Sequence, residues 1–263
     1  MELFGFLLPL IGALWWPFCR IMAMMMTAPV LGDGAIPIPV RALLAVVLSF
    51  LMLPLTTKAA LAGAMPDPFS LAGVVAMFEQ AVIGGVLGLA LQFAMAAVTL
   101  LGFLASSQIG FSMAQMNDPV NGQASDVISG LMSLVAMLVF FAIDGHLVLT
   151  AVLGQSFRAW PVGAGMQPML LEAVALNVGW VFSAAILLAL PIVFSTIVVQ
   201  IGFGFLNRVA PSLNLFSLGF SLVTIFGLLM LIQLVRFIPE HYVAMTNQVL
   251  EMLQEQMGRS RGG

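Results

Sequence analysis

Residues able to do chemistry are few in this chain and scattered. Across 263 residues there are two histidines, one cysteine, eleven Asp and Glu and eight Lys and Arg. Asp144-Gly145-His146 sets a carboxylate beside an imidazole, a pairing that can handle protons. The intervening glycine suggests instead a helix end, with Asp144 and His146 solvated in a connector, and no second intramembrane carboxylate accompanies the pair. Cys19 alone excludes an internal disulfide, and two histidines are too few to build a metal site. No nucleophile elbow, HExxH, P-loop or GxGxxG is present, so nothing supports catalysis, and neither a metal nor a cofactor is expected.

Two other features carry physical weight. Arg20 lies in the apolar run WWPFCRIMAMMM. An arginine centred in a membrane costs roughly 2.5 to 3.5 kcal/mol on insertion scales, so it either faces protein or water and finds an acceptor, or snorkels to an interface marked by Trp15 and Trp16. Glu79 is a candidate partner. Gly84-x-x-x-Gly88 has the small-residue spacing that lets two helices approach closely, although glycine is common in membrane helices generally.

The most informative stretch is Ser106 to Asp126, SSQIGFSMAQMNDPVNGQASD. It has no charge before Asp118, yet Ser106, Ser107, Gln108, Gly110, Ser112, Gln115 and Asn117 make it too polar for lipid and too marked by glycine for a helix. Backbone that leaves the helix at membrane depth is tolerated where protein buries it or where it lines a water-filled path. Phe111, Met113 and Met116 supply bulky, adaptable apolar groups that can seal a constriction by fit and by dewetting. An ordinary extramembrane loop is the competing reading.

The surrounding composition decides what must position these groups. Hydrophobic residues make up 62% of the chain and charged residues only 7%, with a mean hydropathy of +1.13. That leaves too little polar surface for a water-exposed globule, so the chain is expected to be an all-α integral membrane protein. A net charge of -3 without a basic run disfavours nucleic acid. The N-terminus has no basic residue before Arg20, which predicts a retained helix rather than a cleaved signal peptide.

Charge-free apolar stretches at 3–19, 42–57, 80–117, 127–143, 173–207 and 209–235 predict about six helical blocks. A simple span needs about 20 residues, and the patterns from Phe69 to Ala105 and from Ala173 to Leu206 exceed it. Each must tilt, break or be covered by protein. Gly84, Gly85 and Gly88 in one, and Pro191 in the other, are candidate breaks. Connectors are expected at 32–39, 65–68, 117–122, 160–168 and 207–212. From Phe237 to Met257, Met245, Val249, Met252, Leu253 and Met257 recur near helical spacing, which predicts an interfacial amphipathic helix. Basic residues are spread over the connectors, and Arg236, Arg259 and Arg261 lean the tail to the cytoplasm.

Three stretches resemble the FliR family of flagellar type III export-gate subunits. The first is Arg20, Thr27-Ala28-Pro29 and Pro39-Val40-Arg41. The second is Gln108-Ile109-Gly110-Phe111 with Met116-Asn117-Asp118-Pro119-Val120-Asn121-Gly122, followed by Gly145-His146-Leu147. The third runs from Arg208-Val209-Ala210-Pro211 through Asn214 to Phe220. Ser212 and Ser221 depart from the family's usual glutamine and proline.

The resemblance implies one membrane domain over 1–263, with a FliP-like part at 1–170, a FliQ-like helical hairpin at 171–236 and an amphipathic polar tail at 237–263. It implies a multi-pass protein of the bacterial inner membrane at the flagellar basal body, without enzymatic activity. Its partners would be FliP, FliQ, FlhB and FlhA, unfolded flagellar substrates and membrane lipid. A plug from Gln108 to Gly122 would include Gly110, Phe111, Met113, Met116, Asp118 and Pro119. Arg20, Gly84, Gly88, Arg208, Pro211 and Asn214 would pack or dock subunits. The homologous subunit of a virulence injectisome is the close alternative. A small-solute or ion carrier, less favoured, would need intramembrane charge pairs or matching broken helices, which are missing.

Overall fold

A computed structural model describes residues 2–32, 34, 36–61, 66–111, 126–165, 168–209 and 215–262. Among them the chain is helical throughout: α1 (Glu2–Thr27), α2 (Ile38–Leu61), α3 (Leu71–Ile109), α4 (Val127–Ala142), α5 (Gly145–Ala159), α6 (Pro168–Val209), α7 (Leu215–Val235) and α8 (Ile238–Gly262). The expected all-α membrane architecture holds. Ile38–Thr56, α3 and α6 are each long and apolar enough to cross a membrane. Two bent pairs, α4 with α5 and Gly219–Val235 with Ile238–Arg259, raise the number of candidate spans among the described residues to five.

The candidate breaks do not break. α3 runs 39 residues through Gly84, Gly85 and Gly88, and α6 runs 42 residues through Pro191. At 1.5 Å per residue α3 is about 58 Å long, far more than the roughly 30 Å of bilayer hydrocarbon. Protein covers it: 67% of its apolar window is buried within the chain, against 28% for α6 and 22% for α2. Leu87, Ala90, Ala97, Leu101 and Ala105 are among its fully buried residues. Small side chains at so many of these positions let neighbours approach the α3 backbone.

Two compact units are present. One comprises Met1–Phe93, Asp144–Asn177 and Thr246–Gly263; the other comprises Ala94–Ile143 and Val178–Met245. In the first, α1 lies along α2, which also touches α5. The hydroxyl of Thr56 donates to the Ala13 carbonyl oxygen at 3.3 Å, joining α1 and α2 with a polar tie inside an apolar contact. In the second, α3 and α4 come so close that a Cβ at Gly102 would lie 2.7 Å from the Cα of Ser129.

Three local expectations change. The helix was expected to be lost within Ser106–Asp126, but Ser106, Ser107 and Gln108 belong to α3, which ends only at Ile109. The Ser107 hydroxyl is absorbed locally, donating to the Leu104 carbonyl at 2.8 Å. The Asp144 corner does end a helix, yet His146 lies in the first turn of α5 rather than in a connector. Asp144 itself, not the glycine, takes the left-handed backbone conformation, with φ at 54°. The tail forms α8 as expected, but its apolar stripe is no interfacial face. Tyr242, Met245, Val249, Leu253 and Met257 are buried within the protein.

Candidate functional site

Arg20 is fully buried, and its guanidinium fork is used on every side. Nε donates to Gln80 Oε1 at 2.8 Å, one terminal nitrogen to Ser156 Oγ at 3.1 Å, and the other to the Trp160 carbonyl oxygen at 2.7 Å. The Phe157 ring lies beneath it, 4.2 Å from the guanidinium carbon. One side chain on α1 is thus held by α3, by α5 and by the connector after α5. The planar fork suits this divergence, because its donors leave in fixed directions toward separate acceptors.

Glu79 is the neighbouring countercharge, buried and within Coulombic reach of Arg20. Its Oε1 is buried without a hydrogen-bond partner. The sequence pointed to Glu79 as the acceptor; the geometry gives that role to Gln80, one residue on. Arg20 is therefore satisfied inside the chain rather than snorkelling, since all three of its hydrogen-bonded sites are protein groups.

Gly84 and Gly88 face α1 in the same unit. A Cβ at Gly84 would collide with the Arg20 carbonyl oxygen, and one at Gly88 would meet Thr27 Oγ1 and lie 2.5 Å from the Met24 carbonyl oxygen. Thr27 Oγ1 donates to the Gly85 carbonyl at 2.8 Å. This close approach is what glycine permits and any side chain forbids. Beside it, a cavity of about 290 Å³ is lined by Ile21, Met24, Leu44, Val47, His146 and Leu149 among others. Its walls are almost wholly apolar, so it has no chemistry to offer beyond apolar contact.

The other unit holds the described ends of the polar stretch. Gly110, with φ at +88°, ends α3 against Phe220: a Cβ there would lie 2.7 Å from the Phe220 ring. The Ile109 side chain fits against Gly227, where a Cβ would lie 2.5 Å from its Cγ1. The Ile109 carbonyl, left without a helical partner at the end of α3, accepts from Thr224 Oγ1 at 3.1 Å. Across the stretch, Asp126 caps α4, accepting from the Ile128 amide at 3.3 Å, the Ser129 amide at 3.4 Å and the Ser129 hydroxyl at 2.5 Å. It also accepts from Ser106 Oγ at 2.6 Å.

Of the predicted closing residues, Gln108, Gly110 and Phe111 are described, each partly buried. Met113, Met116, Asp118, Pro119 and Gly122 lie outside the described residues, as do Pro211 and Asn214. Arg208 is exposed in the last turn of α6. Among the described residues no group of three or more His, Cys, Asp or Glu could hold a metal ion.

Residues 11–249 match the family described as Bacterial export proteins, family 1. The chain belongs to that family. Its similarity to individual export proteins is spread over nearly the whole length. It is 34% identical over 251 residues to the flagellar biosynthetic protein FliR of Pectobacterium carotovorum, covering 93% of this chain and 92% of that one. It is 30% identical over 243 residues to the flagellar biosynthetic protein FliR of Escherichia coli K12, covering 91% and 90%. The protein of that name from Aquifex aeolicus is 27% identical over 216 residues, or 82% of each chain.

Within this export protein family fold, several supporting residues had no strong sequence signal. Gln80, Ser156 and Trp160 stand 60, 136 and 140 positions from Arg20, and no local pattern links them. Asp126 could have been found: a carboxylate directly before an apolar run is a helix-start signature.

Proposed function

We propose that this export protein is the FliR-type subunit of a flagellar type III export gate in the bacterial inner membrane. It assembles there with FliP and FliQ around a channel for unfolded flagellar proteins. The observation that carries the reading is the match over residues 11–249, joined to relatives whose names are flagellar. Those names favour the flagellar system over an injectisome.

In this reading FlhB and FlhA are neighbouring components. The segment 1–170 is the FliP-like part, 171–236 the FliQ-like hairpin and 237–263 the polar tail. Gln108 to Gly122 closes the channel, with Phe111, Met113 and Met116 excluding water by apolar contact. Arg208, Pro211 and Asn214 serve the docking of other subunits at the last hairpin. The chemistry required of the chain is packing and sealing, which its charge-poor, methionine-rich composition supplies without a catalytic group.

Deleting Phe111 to Met116 tests the closure. The expected result is a complex that assembles at wild-type levels while the inner membrane admits ions and small solutes, read as conductance or dye entry. An assembled mutant as tight as wild type removes the closing role from this segment.

A further inference from the structure

The apolar cavity is walled by the last turns of α1, the first turns of α2 and the start of α5. Ile21, Met24 and Leu153 form its buried floor, while Leu44, Val47 and Leu147 line it and are exposed, so its mouth opens between α2 and α5. At about 30 Å³ for a group the size of a water or a methylene, its roughly 290 Å³ hold about nine or ten such groups. Walls so apolar offer a water too few partners. A flexible hydrocarbon chain instead meets each wall atom with an apolar contact, and methionines adapt to its shape.

A cation stands at one end of this space. Arg41, in the first turn of α2, is buried, and Leu44 and Leu48, at the i+3 and i+7 positions from it, line the cavity. The apolar space therefore begins about 4.5 Å further along the helix axis and reaches about 10 Å. Nη1 of Arg41 donates to Met26 Sδ at 3.4 Å. A thioether is a weak, uncharged acceptor, and a guanidinium carries five N–H donors, so the group can add a phosphate to the contacts it holds. Arg41 also lies near the start of the candidate span Ile38–Thr56, the level at which head groups give way to chains in a bilayer.

We propose that the cavity and Arg41 together form a site for an anionic phospholipid, whose phosphate meets the guanidinium and one of whose acyl chains fills the apolar space. The two halves sort the occupants. A free phosphate satisfies only Arg41, an apolar side chain of another protein satisfies only the cavity, and a zwitterionic lipid brings its own cation toward the arginine. Basic pockets between membrane helices recognise acidic head groups by the same chemistry. α1, α2 and α5 suffice for the site, whatever complex the chain joins.

The test uses full-length protein purified in mild detergent with the subunits that accompany it, then placed in nanodiscs containing phosphatidylglycerol or phosphatidylcholine with a diazirine in one acyl chain. After irradiation, labelled residues are located by peptide mass spectrometry. Phosphatidylglycerol should label the floor at Ile21, Met24 and Leu153 roughly tenfold more than phosphatidylcholine does, the ratio one charge-assisted hydrogen bond provides. Excess unlabelled phosphatidylglycerol should displace it, and excess inorganic phosphate should not. Leu44→Trp, which fills the cavity from its mouth, should abolish floor labelling, whereas Val46→Trp, at an exposed position outside the cavity, should not. Arg41→Gln should lower phosphatidylglycerol labelling about tenfold, and Arg41→Lys should keep most of it. Thermal melts show which variants are folded. Equal floor labelling by the two lipids, or displacement by inorganic phosphate, overturns the anionic phospholipid. An unlabelled floor in folded wild-type protein overturns the site and gives the cavity to a neighbouring protein. The lipid comparison and the competition use the wild-type chain, so they decide the matter whether or not a variant folds.

Discussion

Arg20 shows how one polar side chain organises an apolar fold. Replacing it by Leu leaves the Gln80 and Trp160 oxygens and the Ser156 hydroxyl without their donor, and strips Glu79 of its countercharge. Breaking such a buried arrangement from one side costs about 3 to 5 kcal/mol. Arg20→Leu is therefore expected to lower the thermal stability of the detergent-purified complex sharply and to abolish swimming in soft agar. Arg20→Lys should fall between, because a single ammonium keeps the charge but cannot reach three divergent acceptors. Normal stability in Arg20→Leu would mean that the cluster contributes nothing. The apolar run around Arg20 leaves it either paired within protein or snorkelling, and its full burial with three protein acceptors decides for pairing. The identity of its acceptors was not legible, because they are set by where α3 and α5 pack, and adjacent Glu79 and Gln80 offer equally plausible oxygens.

At the scale of the helix, Gly84, Gly85 and Gly88 of α3 divide by what they face. Gly88→Val drives a side chain into Thr27 and the Met24 carbonyl, and overpacking of that kind costs about 1 to 3 kcal/mol. Gly85 has nothing within 4 Å of a built Cβ. Gly85→Ala should thus be neutral or stabilising by about 0.5 to 1 kcal/mol, the usual penalty of glycine in a helix interior. Thermal melts of the two variants in the same detergent check the contrast, and equal effects would mean that the α1–α3 approach does not depend on Gly88. The spacing Gly84-x-x-x-Gly88 was visible in the sequence as both a close contact and a candidate break. Uninterrupted backbone hydrogen bonding decided for the contact. α8 differs from its sequence expectation for a related reason. Periodicity shows that a helix has an apolar stripe, not whether protein or lipid covers it. Since Leu253 is only 1% exposed, Leu253→Ala should cost about 2 to 5 kcal/mol, as a core truncation does. An interfacial helix would instead show weakened membrane association at unchanged stability, measured by flotation and by melting.

For the whole molecule, the contrast between helices says where neighbours belong. α3 is largely covered by its own chain, whereas Leu176, Phe182, Leu187, Phe194 and Phe205 of α6 are all exposed. At 42 residues α6 is too long for lipid alone to cover. The subunit expressed singly is thus expected to be protease-sensitive and polydisperse in detergent, and co-expression with FliP-like and FliQ-like partners should restore a monodisperse, resistant species. A stable monomer by size-exclusion and limited proteolysis would count against obligate assembly. The excess length of α3 and α6 was readable from their charge-free apolar runs, whereas α5 matches none of the six expected blocks. The division into two compact units was not readable, since the residues of each come from separated parts of the chain.

Pro191 has a consequence for that exposed helix. The ring sits on an exposed position of an unbroken α6, and proline has no amide hydrogen to give. The carbonyl of Leu187, four residues earlier, does not receive its ordinary intrahelical bond. Leu187 is itself 65% exposed. Hydrocarbon offers no donor to such an oxygen, but a hydroxyl, an amide or a water does. This stretch of α6 is consequently not indifferent to what lies against it. Greasy by side chain, it discriminates by backbone, and acyl chains are the poorer of its two possible neighbours.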